Sequence, residues 1–276
     1  MYKIIADSSC DISPEIQERL GIDLVPLTLT LGDDSYQDDE NLDIPNFLEK
    51  MKACLQKAGT AAPSPELFRT AFVDGVKSFV VTLSSKLSGT YSSAVLAKNM
   101  AAEDGNHDVH VFDSKSASAA EVLITLKIKD FIDAGMVMGT IIEKVEKFIE
   151  NMKTYFVLEN LDNLVKNGRI NAFVGKIISS LNIKPIMKDD GKGEIGFHAH
   201  SRSTEQTIKK MADTIEKSGK DTTGERVVIT HCDNPGLAEK LMTAIKERYN
   251  FAEILVFPTK GLSSLYANLG GIIMAF

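Results

Sequence analysis

The chain has 276 residues, which is more than most single hydrophobic cores contain, so two domains are expected. Its 43% hydrophobic and 25% charged residues are typical of a globular protein and exclude disordered, collagen-like and coiled-coil chains. The net charge of −7, without a basic run that contains interleaved aromatic residues, argues against a nucleic-acid partner.

Eight apolar, β-rich runs predict buried strands. In chain order they are Lys3–Ala6, Asp23–Leu31, Ser78–Leu83, Asp108–Phe112, Thr154–Leu158, Glu194–His198, Arg226–His231 and Glu253–Phe257. Segments with helical periodicity lie between them. The sequence therefore predicts an α/β fold built from βαβ units, with mainly parallel sheets covered by helices on both faces.

Helix boundaries are marked by capping residues and glycines. A short polar side chain binds the free N–H groups of a first turn, and proline fits that turn, so three capping residues beside prolines predict helix starts. They are Ser13, Asp43 and Ser64. Glycine readily adopts the left-handed backbone that ends a helix, and three glycines after helical patterns predict helix ends. They are Gly21, Gly59 and Gly168.

The predicted domain boundary lies close to Asn151. A pair of long helical patterns over residues 114–152 ends there, and the run TYFVLEN begins a new strand. The predicted domains are residues 1–152 and residues 153–276. The second is expected to repeat the alternation of strands and helices with fewer strands.

The cysteines and the lengths of the apolar runs indicate the cellular compartment in which the protein is expected. Cys10, Cys54 and Cys232 lie far apart and form no C-x-x-C pair, which predicts reduced structural thiols, no disulfides and no zinc site. No apolar run approaches the roughly 18 residues that span a bilayer. The opening MYKIIADSSCDIS also lacks the regions of a signal peptide. We expect a cytoplasmic protein without stable membrane insertion.

Hydroxyl-bearing loops follow three of the predicted strands: Asp7-Ser8-Ser9, the segment Ser84–Ser93, and Asp113–Ser116. Because ligands bind beyond the carboxyl ends of strands in open α/β sheets, these loops are expected to converge on one rim. Ser88 also lies at a predicted helix start, where free N–H groups favour an anion such as a carboxylate. Thr60, ahead of another helix start, adds one more hydroxyl.

The same hydroxyls have two other interpretations. Serine and threonine often cap helices that follow strands, which is a purely structural role. Alternatively, the chain is an enzyme that acts on a small carboxylated or phosphorylated substrate, with Ser88 as the nucleophile. The enzyme interpretation requires a base within hydrogen-bonding reach of Ser88, and the sequence indicates no convincing one.

Motifs for other classes of site are absent or weak. There is no G-x-G-x-x-G after a strand, no G-x-S-x-G and no H-E-x-x-H, and six residues separate Gly168 from Gly175 where a phosphate-binding loop has four. His198 and His200 alternate on a predicted strand and share one face. Such a pair is compatible with a metal or, since no acidic or cysteine ligand is adjacent, with a solvated strand face. We expect neither a metal nor a cofactor.

Six segments resemble, in order, the landmarks of the DegV family. They are ADSSCDI, GTAAPSP, SSKLSGTYSSA, DSKSAS, NLVKNGRI and NLGGIIMAF, and they span nearly the whole chain. The resemblance implies two α/β domains with a tunnel between them that buries one long-chain fatty acid, in a protein that is not itself an enzyme. It also implies, for some members, a separate ATP-dependent, dihydroxyacetone-kinase-like fatty acid kinase subunit that phosphorylates the carboxylate.

The resemblance assigns roles to matching positions. Hydroxyls that hold the carboxylate would be those of Thr60 and Ser88, with Ser92 and Ser9 as nearby candidates. Arg169, in NGRI, and Arg202, in SRST, match basic positions that hold the phosphorylated head group or the partner. For Arg202 the alternative is a surface ion pair.

Two positions depart from the family pattern. Ala61 occupies a position that is often serine in a T-S-x-P segment, so one hydroxyl is missing. Tyr266 occupies a position that is commonly histidine. Tyr266 is therefore expected either to donate to the head group through its phenol or to be a packing residue of the C-terminal helix. The exchange of histidine for tyrosine is expected to affect phosphorylation of the head group more than binding of the lipid.

Overall fold

A four-stranded parallel sheet organises the first half of the chain. The computed structural model describes residues 1–170 and residues 183–276. In sheet order the strands are β2 (Ile22–Val25), β1 (Tyr2–Asp7), β6 (Lys77–Thr82) and β7 (Val109–Asp113), and every neighbouring pair is parallel. The accompanying helices are α1 (Pro14–Leu20), α3 (Pro65–Ala71), α4 (Thr90–Glu103), α5 (Ala119–Asp133) and α6 (Met138–Asn151).

A small antiparallel sheet lies beside this core. Its order is β4 (Asp34–Gln37), β3 (Thr28–Leu31) and β5 (Ala58–Ala61), and α2 (Ile44–Ala53) connects β4 to β5. The pairing places Thr60 of β5 opposite Leu29 of β3. This sheet therefore fixes the position of one predicted ligand-binding hydroxyl.

A six-stranded sheet organises the second half. In sheet order its strands are β10 (Ile195–Ser201), β9 (Lys184–Asp189), β8 (Thr154–Val157), β13 (Ile272–Ala275), β11 (Arg226–His231) and β12 (Glu253–Pro258). The helices described in this half are α7 (Asp162–Lys166), α8 (Thr204–Ser218), α9 (Pro235–Lys246) and α10 (Gly261–Ala267). Only β11 and β12 pair in parallel, whereas the other neighbouring pairs are antiparallel.

Helix α5 lies between the two larger sheets. It contacts β1 and β6 of the parallel sheet and β11 and β13 of the six-stranded sheet. A helix that is covered on all sides must be apolar almost all round, and α5 is buried from Ala119 through Leu126. The main hydrophobic core consequently contains residues from both halves, including Phe79, Val122 and Ile273.

The predicted helix starts are confirmed. The side chain of Ser13 accepts a hydrogen bond from Ile16 N, that of Asp43 from Asn46 N, and that of Ser64 from Leu67 N. Two of the predicted helix ends are also confirmed, because Gly21 and Gly168 follow α1 and α7 with φ values of 63° and 71°.

The third predicted helix end is wrong, because α2 ends at Ala53 and Gly59 lies within β5. Gly59 is opposite Thr30 across the small sheet, and a Cβ at position 59 would lie 2.8 Å from the Thr30 hydroxyl. The glycine thus serves a close approach inside a strand, which the sequence pattern alone does not distinguish from a helix end.

The predicted single strand Asp23–Leu31 is also wrong. It divides into β2, in the parallel sheet, and β3, in the small sheet. Pro26 separates them and has no N–H to donate to a continuing ladder. The chain instead changes sheets there, with Leu27 N donating to the hydroxyl of Ser8 at 3.0 Å.

The two-domain α/β prediction is confirmed, with one correction: mainly parallel pairing holds for the four-stranded sheet but not for the six-stranded one. Among the described residues the first half contains seven strands and the second half six, so the expected smaller number in the second half is confirmed. The four strands of the parallel sheet precede residue 152 and all six of the other sheet follow residue 153. Residues 1–152 and 153–276 stay our proposed domains.

Candidate functional site

A cavity lies where the two halves meet, with lining residues from both. It encloses about 880 Å³ of space, including the open solvent at its mouth, which is within the usual range for ligand sites. Aliphatic and aromatic side chains from both halves form most of its wall: Leu27, Leu83, Leu87, Phe156, Leu158, Leu164, Ile195, Leu262 and Ile273. A wall of this composition suits a long apolar molecule.

The three hydroxyl loops converge on this cavity as expected. Ser9 comes from the loop after β1, Ser88 from the loop after β6, and Ser116 and Ser118 from the loop after β7. Helix α10 completes the wall from the second half with four of its residues: Leu262, Ser263, Tyr266 and Ala267. The rule that parallel strands end at one edge of a sheet accounts for the convergence of the loops.

A hydrogen bond joins two of the predicted site residues across the cavity wall. The hydroxyls of Thr60 and Tyr266 lie 2.9 Å apart. Both side chains are half-buried and both line the cavity. Tyr266 therefore lies in the wall, next to one of the hydroxyls expected to hold a carboxylate.

Ser88 lies at the start of α4, as predicted. Its hydroxyl is 2.8 Å from that of Thr90 and accepts from Thr90 N at 3.3 Å. Among the described residues, no histidine or carboxylate lies within hydrogen-bonding distance of this hydroxyl. The base that a nucleophilic serine requires is not found in that part of the chain.

Arg169 lines the cavity on the Leu87–Ser88 side. Its Nε donates to the carbonyl oxygen of Leu87 at 2.6 Å, and its Nη1 donates to that of Asn167. The guanidinium is therefore held at the wall by backbone acceptors. A planar group held in this way retains N–H donors for an oxygen-rich ligand.

Buried carboxylates accept hydrogen bonds from the loops that line the cavity. Asp7 is fully buried and accepts from Ser9 N at 2.9 Å and from Leu83 N at 2.8 Å. Asp11 accepts from the Ser118 hydroxyl at 2.5 Å and from Lys260 N at 2.6 Å. Burial raises the pKa of Asp11 to about 7, although these hydrogen bonds act in the opposite direction.

Glu121 of α5 belongs to the same buried group. It is inaccessible to solvent, and neither of its carboxyl oxygens has a hydrogen-bond partner among residues 1–170 and 183–276. Burial, followed by the nearby charge of Asp7, raises the pKa of Glu121 well above its ordinary value, and burial also raises the pKa of Asp7. Burial therefore favours the protonated form of each of these acids.

A fourth buried carboxylate fixes the start of α10. Asp38 accepts from Gly261 N and from Leu262 N, each at 2.8 Å. Both N–H groups are free donors of a first helical turn. Since α10 carries Tyr266, this contact from the first half determines where the second half presents its share of the cavity wall.

The family of the chain follows from its similarity to known proteins. A sequence model described as "Uncharacterised protein, DegV family" matches residues 1–274. The chain belongs to the DegV family. A DegV domain-containing protein of Streptococcus pyogenes serotype M3 is 34% identical over 278 residues, which cover 100% of this chain and 99% of the relative.

Two crystal structures of DegV relatives superimpose closely on the chain. A DegV family protein from Ruminococcus gnavus, refined with vaccenic acid, is 38% identical with a TM-score of 0.94, and the alignment covers 100% of this chain and 99% of the other. The Streptococcus pneumoniae fatty acid kinase (Fak) B3 protein, loaded with linoleic acid, is 34% identical with a TM-score of 0.92 and the same coverage.

Two residues that the DegV resemblance assigned to the site lie outside the cavity wall. Ser92 is exposed on α4, and Arg202 is exposed just before α8, where its backbone N donates to Gln206. One helical turn beyond Ser88, the serine faces away from the cavity. Any role for Ser92 or Arg202 would therefore concern the outer surface.

The described part of this DegV chain contains no group of side chains arranged to hold a metal. The alternation expected for the histidine pair is interrupted, because the pairing of β10 with β9 shifts between Phe197 and Ala199. His198 packs edge-on against Tyr155, while His200 is exposed.

Among the described residues no helix is long and apolar enough to cross a membrane. Gly175, whose spacing from Gly168 argued against a phosphate-binding loop, lies outside the described residues.

Proposed function

We propose that this chain binds one long-chain fatty acid in the cavity and presents it to a separate, ATP-dependent, dihydroxyacetone-kinase-like subunit. The observation that carries the proposal is an aliphatic cavity with uncharged hydroxyls, those of Thr60, Ser88 and Tyr266, in its wall. Vaccenic and linoleic acids in the two similar DegV structures support this ligand class, and the name of the Fak B3 protein supports the kinase partner.

The energetics of the cavity agree with a carrier. Each buried methylene contributes about 0.8 kcal/mol, so the acyl chain supplies most of the affinity. Thr60 and Ser88 then need only orient the carboxylate, with Ser9 and Tyr266 beside them. Hydroxyls can donate to a carboxylate without a full opposite charge that would slow its transfer to a partner.

Arg169 and Arg202 have different proposed roles. Arg169, in the cavity wall, contacts the head group after phosphorylation, and Arg202, exposed, contacts the kinase subunit. The protein acts in the cytoplasm, which agrees with three free cysteines.

Lipid extraction followed by mass spectrometry tests the ligand class, and the expected result is one fatty acid per chain. In titrations of delipidated protein with that fatty acid, the Thr60→Ala, Ser88→Ala double variant should lose roughly 1–3 kcal/mol of binding free energy, the worth of two hydrogen bonds. Ser92→Ala is the matched control, since Ser92 lies in the first turn of the same helix but outside the wall. Equal affinities of the double variant and the control would contradict the assignment.

The chain alone should not convert its ligand. Incubation with ATP and a fatty acid is expected to leave both unchanged, because the sequence contains no nucleotide-binding phosphate loop. Phosphorus NMR of the mixture detects an acyl phosphate directly. Formation of that product by the isolated, homogeneous chain is the outcome incompatible with a carrier.

A further inference from the structure

Lys115 is a second cationic residue of the cavity wall, and it comes from a different loop from Arg169. It lies in the loop after β7, is half-buried, and lines the same cavity as Ser88 and Arg169. Arg169 already donates to two backbone carbonyls. The Lys115 ammonium makes no ion pair within 4.0 Å in the described parts of the chain, unlike other half-buried lysines such as Lys127.

The backbone holds Lys115 in an unusual conformation. Its φ is 52°, in the left-handed region that non-glycine residues rarely occupy. One carboxyl oxygen of Asp113 accepts from Lys115 N at 3.0 Å and from Ser85 N at 3.1 Å, so the loops after β6 and β7 are held together. Such strain is stored mainly where a side chain must point in a particular direction.

The β9–β10 hairpin covers Lys115 from the second half. The Ser84 hydroxyl donates to the carbonyl oxygen of Gly193 at 2.7 Å. A Cβ at position 193 would lie 2.4 Å from that hydroxyl and 3.5 Å from Lys115 Cα, so only glycine permits this approach. The hairpin therefore packs against the backbone of Lys115 at the cavity wall.

The two acidic residues of the wall, Asp189 and Glu194, form no ion pair with Lys115 in the described parts of the chain. Asp189 accepts from Thr154 N at 2.7 Å and from Gly191 N at 3.0 Å, one hydrogen bond at each of its oxygens. Glu194 also lines the cavity, but it is exposed and makes no ion pair with Lys115. A half-buried ammonium without an anion is a favourable place for one.

We infer that Lys115 is a specificity-determining residue, which makes the cavity prefer a dianionic, phosphorylated acyl head group to a singly charged carboxylate. The inference rests on the proposed function. Hydroxyls are adequate for a carboxylate, whereas a dianion gains from the two cations of the same wall, Lys115 and Arg169. The carrier would then retain the phosphorylated product of its partner.

The test compares two ligands with the same sixteen-carbon chain: hexadecanoic acid and hexadecylphosphonic acid. Binding is measured by calorimetry with full-length, delipidated protein at a pH where the phosphonate carries two charges. Lys115→Met should weaken phosphonate binding roughly tenfold while changing carboxylate binding less than about threefold. Lys115→Arg should retain the preference.

Lys86→Met is the matched control, because Lys86 is an exposed neighbour outside the wall and should leave both affinities unchanged. Equal losses for both ligands in Lys115→Met would overturn the inference, and so would wild-type protein that binds the carboxylate but not the phosphonate. If Lys115→Met does not fold, Lys115→Arg without any phosphonate preference overturns it. Failure of wild type to bind either ligand would instead contradict the proposed function.

Discussion

The hydrogen bond between Thr60 and Tyr266 joins residues that are 206 positions apart in the chain. It is a contact between β5 of the first half and α10 of the second. A tyrosine at this position supplies a donor and a ring that lines the cavity, and thereby keeps the wall closed. Exchange of the residue type should alter the chemistry of the wall without removing its shape.

Substitution of Tyr266 should separate a ligand-binding role from a packing role. Tyr266→Phe leaves the Thr60 hydroxyl without this partner and is expected to weaken fatty-acid binding by roughly 0.5–1.5 kcal/mol. Tyr266→His should bind more tightly as the pH falls through about 6.5, because a protonated imidazole attracts the carboxylate. Affinities of the three proteins measured between about pH 5.5 and 8 test both expectations. Three superimposable, flat curves would place Tyr266 outside the head-group site.

Individual site residues were predictable from sequence to different degrees. The hydroxyl loops could be identified because strand ends meet at one edge whatever the rest of the fold does. Asp38 carried no such signal, since its role depends on a partner that is distant in sequence. Lys115 lies in one of the predicted loops, but the sequence does not indicate whether its ammonium is paired. Gly261, for example, is 223 residues from Asp38. A single glutamate inside the apolar run of α5 was the available sign of the buried acids.

At the level of elements, helix α10 depends on a cap from the other half of the chain. Asp38→Ala removes the acceptor of two N–H groups and should lower the free energy of unfolding by about 1–3 kcal/mol. Because α10 carries Tyr266, the same variant should also weaken fatty-acid binding. Denaturant titration and ligand titration of one preparation measure the two effects.

Asp43→Ala is the control for helix capping as such. Asp43 caps α2 with a single hydrogen bond and lies outside the cavity wall. Its loss should reduce stability by about 1 kcal/mol and leave affinity unchanged. A similar loss of affinity in both variants would show that general destabilisation, not the position of α10, governs binding.

The elements themselves followed from local signals where those signals were sufficient. Capping side chains beside prolines placed three helix starts correctly. The division at Pro26 and the strand at Gly59 were missed because sheet membership is decided by distant partners. Strand β13 was missed for the same reason, since it pairs with β8 and β11, which are far away in sequence. Strands β4 and β9 were also missed, although each pairs with the strand next to it in the chain.

For the whole molecule, the buried acids imply that stability decreases as the pH rises. Asp11 has an ordinary pKa of 3.8 and a pKa of about 7 in the folded protein. Between these values the folded state holds a proton that the unfolded state has lost, so the free energy of unfolding falls from about pH 4 to about pH 7. Its full effect is on the order of 4 kcal/mol. Asp7 and Glu121 act in the same direction.

Urea unfolding at a series of pH values measures this dependence. Asp11→Asn cannot ionise and should flatten the curve in part, whereas Asp33→Asn, in an exposed turn, should leave it as in wild type. Equal slopes in wild type and Asp11→Asn would refute the raised pKa of Asp11.

The cavity wall comes from both halves of the chain, so a bound acyl chain contacts both and stabilises their association. A ligand at a hundred times its Kd adds about 2.7 kcal/mol to the free energy of unfolding, and that increment is lost when the cavity empties. Local opening around the loops and α10 would then expose the empty chain to proteases sooner than the filled one. The lifetime of the protein would follow the supply of its ligand.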